Sequence, residues 1–225
     1  MSGGREPSSG DGVVKQERAV RTRQALVDAA AAEFDRYGYD GTSLSRISTV
    51  AGMSIGAVTF HFPSKVDLAD AVQQEGRSVT LAALELLTAE PVPPLRMVVD
   101  LTLELARLME QEPAVRSAIR LGRERPGTEA WSEAWLPTVR GLLDRAYESG
   151  QLRTDALPAD VTTLVEHLTN GAEAYLRRRT GSDPAFESAV AQLKRVWHLA
   201  LVGVSAEGSD VRHRAGPPPE GAQAH

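Results

Sequence analysis

Ala51-Gly52-Met53-Ser54-Ile55-Gly56-Ala57-Val58-Thr59-Phe60-His61-Phe62-Pro63-Ser64-Lys65 holds one bend, two helix starts and one helix stop. Gly52 suits a bend because it adopts a left-handed backbone without steric cost. Ser54 is placed to cap a short helix that buries Val58 and Phe62. Pro63 breaks that helix, and Ser64 starts the next with Asp67 at capping-box spacing. Upstream, Thr42 or Ser43 offers a cap for another short helix, with Leu44, Ile47 and Ala51 facing inward. Before it, Leu26, Ala30, Phe34 and Tyr37 share one face of a longer helix that Gly38 ends. Two short helices joined by a glycine turn and packed on a third make a helix-turn-helix, whose second short helix enters the major groove of DNA.

Helical periodicity continues on both sides and strand alternation does not, so the expected fold is all-α. Leu68, Val72, Gly76, Val79, Ala83 and Leu87 keep a stripe along a long fourth helix, and Pro91, Pro93 and Pro94 end it. Further helices are expected over 95–111, 114–123, 129–149, 160–179 and 184–204, separated by Pro113, Pro126, Gly150, Pro158 and the 181–184 turn. The expected organisation is a disordered tail over 1–14, a three-helix helix-turn-helix domain over 15–64 and a linking helix over 65–90. A C-terminal helical ligand-binding and dimerisation domain follows over 91–205, then a second disordered tail over 206–225.

The chain of 225 residues has no cysteine, which excludes disulfides, thiolate metal sites and cysteine nucleophiles. The five histidines are scattered, and no nucleophile–base pair, phosphate-cradling glycine loop or metal-ligand cluster stands out. An enzyme is therefore not expected, nor is a cofactor. No run approaches the apolar length of a membrane span, and the N-terminus does not resemble a secretory signal, so a cytoplasmic location is expected. The net charge is −5, unlike many nucleic-acid binders. Salt screens beyond about 8–10 Å, however, so local charge matters most. Over 13–24 the chain carries Lys15, Arg18, Arg21 and Arg23 against Glu17 alone.

The runs Phe34-Asp35-Arg36-Tyr37-Gly38-Tyr39-Asp40-Gly41-Thr42-Ser43-Leu44 and Ala51 to Lys65, completed by Leu68, resemble the DNA-binding segment of the TetR family of regulators. The resemblance implies that Thr42, with Ser43 beside it, meets a DNA phosphate at the start of the second helix. It places Ser54, Ile55, Gly56, Thr59 and Phe60 on or near the groove-facing surface, and His61 and Lys65 within reach of phosphates. Two positions depart from the family pattern. Ile55 stands where the family often has lysine or another polar residue, and Thr59 where it usually has tyrosine. His61 also suits a plain helix cap, and Lys65 a solvated helix start.

The runs Gln16 to Arg23, Phe60-His61-Phe62, Lys65 to Ala69 and Pro113 to Leu121, with Trp135 ahead of Leu142-Leu143, resemble the γ-butyrolactone receptors of actinomycete bacteria. That resemblance implies a small-molecule effector, a double-stranded DNA operator and a homodimer, and it places Trp135 in the effector pocket. Trp131, four residues earlier, is expected to share a helix face with Trp135. Leu101, Leu105 and Met109 form a facing stripe that suits core better than ligand contact, and Thr169 offers a hydroxyl. For the dimer, Leu164, Leu168, Gly171 and Tyr175 are expected on one helix, and Phe186, Val190, Leu193, Trp197 and Leu201 on another. A pseudo-receptor, or a sensor of an antibiotic or its intermediate, fits the same residues.

Overall fold

The computed structural model describes residues 9–178 and 187–206, with side chains from residue 14. Among the described residues the regular structure is helical: α1 (Ser9–Tyr37), α2 (Leu44–Val50), α3 (Ile55–His61), α4 (Lys65–Thr88), α5 (Pro94–Gln111), α6 (Pro113–Glu124), a 3-10 turn (Trp131–Ala134), α7 (Leu136–Glu148), α8 (Pro158–Arg177) and α9 (Ala189–Val204). An antiparallel bridge pairs Leu152 with Ser205. Among the described residues no helix is long and apolar enough to cross a membrane.

The chain forms two compact units, 1–81 with 112–134, and 82–111 with 135–225. This division differs from the boundaries expected at 64 and 90, because α6 packs against α1 within the first unit. The core of that unit gathers Leu26, Val27, Ala30, Phe34, Ile47, Val58, Phe62, Leu68, Val72 and Leu121. In the second unit α5 packs against α7, α8 and α9, and its Leu101, Leu105 and Leu108 are buried.

Three expectations are corrected. α1 begins at Ser9, so the helix enters the segment expected to be a tail. Residues 1–8 and 207–225 lie outside the described residues. Pro94, Pro113 and Pro158 are first residues of helices rather than spacers between them. Proline lacks only an N–H that has no partner in a first turn. The helix expected over 129–149 is two pieces, because α7 starts at Leu136 with Pro137 in its first turn and Trp135 is its N-cap in a non-helical conformation, φ −124° and ψ −27°. Trp131 and Trp135 therefore do not share a helix face. The last helix starts at Ala189, where the Ser188 hydroxyl accepts from the Val190 N–H.

Candidate nucleic-acid interface

α1, α2 and α3 are set by their punctuation. Gly38 takes φ +74° and Gly52 φ +64°, the left-handed conformations that end α1 and turn α2 into α3. Ser43 caps α2, its hydroxyl accepting from Arg46 N–H at 3.2 Å, and Ser54 caps α3 by accepting from Ala57 N–H at 3.2 Å. Ser64 and Asp67 form a reciprocal box at the start of α4: Ser64 N–H donates to the carboxylate at 2.9 Å and Asp67 N–H to the Ser64 hydroxyl at 3.2 Å. Ile47 and Val58 are fully buried and hold the two short helices against α1.

The site residues then separate. Ser43, Ser54, Ile55, Gly56, Thr59 and Phe60 are exposed, while His61 and Lys65 are half-buried. Thr42 is only 2% exposed, and its hydroxyl donates to the Glu33 carbonyl at 3.2 Å. Thr42 is therefore a tie between the loop and α1, and Ser43 is the hydroxyl that stands at the start of α2. Lys65 donates to the carbonyls of Tyr39 and Thr42 and lies over the Tyr39 ring. His61 packs edge-on to Phe60 with ring centroids 5.2 Å apart.

A charged lattice braces this head, and the periodicity of apolar residues carries no signal for it. Arg46 pairs with Glu33 and lies over the Tyr37 ring at 3.8 Å. The hydrogen bond to Glu33 raises the Arg46 pKa, outweighing the opposing effect of burial. From α6, Arg116 pairs with Asp35 at 2.7 Å and Arg120 donates to the Asp35 carbonyl at 2.8 Å. Glu124 accepts from Tyr39 N–H at 2.6 Å and from Arg120 at 2.7 Å. Burial pushes the Glu124 carboxyl up, but the Arg120 guanidinium, the Tyr39 N–H and the charge of Arg123 outweigh it and hold the pKa below the ordinary value.

The residues expected around an effector fall in both units. Trp131 is in the first, where its indole N–H donates to the Thr80 hydroxyl at 2.9 Å. Trp135, Leu101, Leu105, Met109 and Thr169 are buried in the second. The Thr169 hydroxyl donates to the Val165 carbonyl of its own helix. Trp197, expected on the dimer stripe, is 1% exposed, and its indole N–H has no acceptor among the described residues. Leu193 is buried with it. The outward face of α9 carries Val196, Leu199 and Val202 instead. Phe186 lies outside the described residues. Among the described residues no cluster of His, Asp or Glu is arranged to hold a metal ion.

Comparison with known proteins places this geometry. Residues 26–72 match the family described as bacterial regulatory proteins, tetR family. The A-factor receptor protein of Streptomyces griseus is 32% identical over 143 residues, covering 62% of this chain and 49% of that protein. The chain thus spans about half the length of that curated relative. A crystal structure of a γ-butyrolactone receptor, described as ArpA-like, superimposes with a TM-score of 0.68 at 26% identity, over 87% of this chain and 93% of that one. TylP, a TetR regulator from Streptomyces fradiae, superimposes with a TM-score of 0.58 at 31% identity, over 87% of this chain and 92% of that one.

Proposed function

Because the chain belongs to the TetR family of bacterial regulatory proteins, we propose that it is a ligand-responsive transcriptional repressor. In this reading it binds a pseudo-palindromic operator as a homodimer and is released by a small molecule of the γ-butyrolactone class. One observation carries the reading: α3 is anchored by the buried Val58 and leaves Ile55, Gly56, Thr59 and Phe60 uncovered. A major groove about 12 Å wide admits such a helix. Phosphates are left to the exposed hydroxyls of Ser43 and Ser54, to His61 and Lys65, and to the cations of segment 14–24.

The homodimer reading is supported by α9. That helix is apolar on its buried face, through Leu193 and Trp197, and on its outward face, through Val196, Leu199 and Val202. Three exposed apolar groups on one side of α9, set among Lys194, Arg195 and His198, favour a partner there, and a second copy laid on α8 and α9 supplies it. Two reading heads then sit about one DNA turn, roughly 35 Å, apart.

The effector site is proposed in the second unit, near Trp135, Leu101, Leu105, Met109 and Thr169. Trp197 joins it as a hydrogen-bond donor, because a buried N–H without an acceptor is costly and a lactone carbonyl supplies one. α4 is one continuous helix whose residues to Leu81 belong to the first unit and from Ala82 to the second. It is the proposed transmitter. A hundredfold loss of DNA affinity requires about 2.7 kcal/mol of coupling.

The test selects duplexes from fragmented genomic DNA with the purified full chain, then adds a synthetic 2-acyl-γ-butyrolactone. Selective retention followed by release is expected. Failure to retain duplex DNA even in dilute salt removes the regulator reading. Retention without release removes only the effector class.

A further inference from the structure

On an α-helix successive residues turn by about 100°, so Ile55, Thr59, Gly56 and Phe60 occupy one arc of about 140°. Val58, on the other side, is fully buried. Phe60 is 81% exposed and Ile55 49% exposed, which is unusual for large apolar groups on so short an element unless something covers them. The arc carries no charge and no amide. Its one hydroxyl, on Thr59, donates back to the Ile55 and Gly56 carbonyls at 3.1 and 3.3 Å. Ser54, at the edge of the arc, accepts from the Ala57 N–H and keeps its O–H for a phosphate.

We propose that this arc reads thymine C5-methyl groups, with Ile55 and Phe60 as the specificity-determining contacts and Gly56 as the point of closest approach. The inference rests on the DNA-binding reading above and adds the chemistry of base selection. Bidentate reading of guanine or adenine needs an arginine, lysine, asparagine or glutamine side chain, and cytosine needs an acceptor. The arc has no such cation or amide, and its one acceptor is the Thr59 hydroxyl oxygen, whose O–H is already engaged within the helix. The one apolar feature that any base pair presents in the major groove is the thymine methyl.

Gly56 gives independent support. A Cβ there would meet nothing closer than the Ser54 hydroxyl at 3.9 Å, so the protein's own packing does not require glycine. Glycine inside a helix is less stable than alanine. Its use lies outside the fold, where a bare backbone lets the helix sink toward the base edges. Charge favours the same occupant, since the neighbouring segment 14–24 carries Lys15, Arg18, Arg21 and Arg23 against Glu17.

The experiment takes the duplex selected by the full chain and replaces each thymine in turn with deoxyuridine, which removes the methyl and keeps the pairing. One or more positions in each half-site are expected to lose about fourfold in affinity, the value of one buried methyl. In Ile55→Ala or Phe60→Ala that thymine–uracil difference should vanish at one of these positions, with weak binding to unrelated duplex retained at low salt. Gly56→Ala should raise the melting temperature and weaken binding to the selected duplex more than tenfold. Uniform tolerance of uracil overturns the inference while leaving DNA binding intact. Discrimination that survives in both apolar variants also overturns it, as does a change in sedimenting mass in Phe60→Ala, which would assign the arc to a second copy. If no duplex is selected at all, the regulator reading itself fails.

Discussion

The Lys65 ammonium donates to the Tyr39 carbonyl at 3.0 Å and sits 4.1 Å from the centre of the Tyr39 ring. The same nitrogen donates to the Thr42 carbonyl at 3.2 Å. Lys65 thus ties the start of α4 to the loop that delivers α2. An ammonium has three donors, so one stays available for a phosphate. Lys65→Ala should lower stability by about 1–2 kcal/mol through the stranded carbonyls. It should also weaken binding to all duplexes alike and reduce the salt slope by about 1. Thermal melting and binding at several salt concentrations check both parts. Melting loss with an unchanged slope assigns Lys65 to the scaffold alone.

Gly76 faces α6 at close range: a Cβ there would lie 2.5 Å from the Ala114 carbonyl oxygen and 2.6 Å from the Ala118 methyl. Neither neighbour is the end of a flexible side chain. Gly76→Ala should therefore destabilise the first unit by about 1–3 kcal/mol by overpacking, although alanine is the better helix former. Urea unfolding checks the sign, and a stabilised variant contradicts the close approach of α4 and α6. The opposite sign expected at Gly56 makes the pair informative.

Glu124 holds Tyr39 N–H and Arg120 together beside Gly38. Its folded pKa lies below the ordinary carboxylate value. The sign follows from linkage: a depressed carboxyl stabilises the fold above its unfolded pKa, and that contribution disappears as pH falls through the folded pKa. Glu124→Gln should therefore be less stable than the parent at pH 7, with the gap closing on acidification below about pH 4. Melting curves from pH 7 to pH 3 measure this. A gap that is constant across the range speaks against the ionic role.

Trp197→Phe removes the buried indole N–H that lacks an acceptor and keeps a ring in the core. The free protein should lose only about 1–2 kcal/mol, from the space left by the smaller ring, because no hydrogen bond is lost. Release of DNA by the 2-acyl-γ-butyrolactone should need at least tenfold more ligand. Unaltered release excludes Trp197 from the effector site.

Leu199 is 72% exposed on α9, between Val196 and Val202. Leu199→Glu places a charge in the proposed dimer face, where burial without a partner is expensive. The variant should sediment as a monomer at micromolar concentration, stay helical, and lose high-affinity operator binding. A persistent dimer sends the interface elsewhere.

Local sequence determined the reading head. Gly38, Gly52, Ser54, Pro63 and Ser64 act through their own backbone and hydroxyl chemistry on residues within a turn of themselves, so their effects are legible without knowing the fold. The same locality explains the all-helical class. Tertiary structure decided what depends on which distant groups meet. It turned Thr42 inward onto Glu33, drew α6 onto α1 through Arg116 and Asp35, and placed Trp131 with Thr80 instead of Trp135. It also chose which apolar face of α9 is buried, since both faces carry hydrophobic residues and periodicity cannot rank them. Side-chain direction and partner identity are properties of packing between segments far apart in the chain, and no pattern within one segment encodes them.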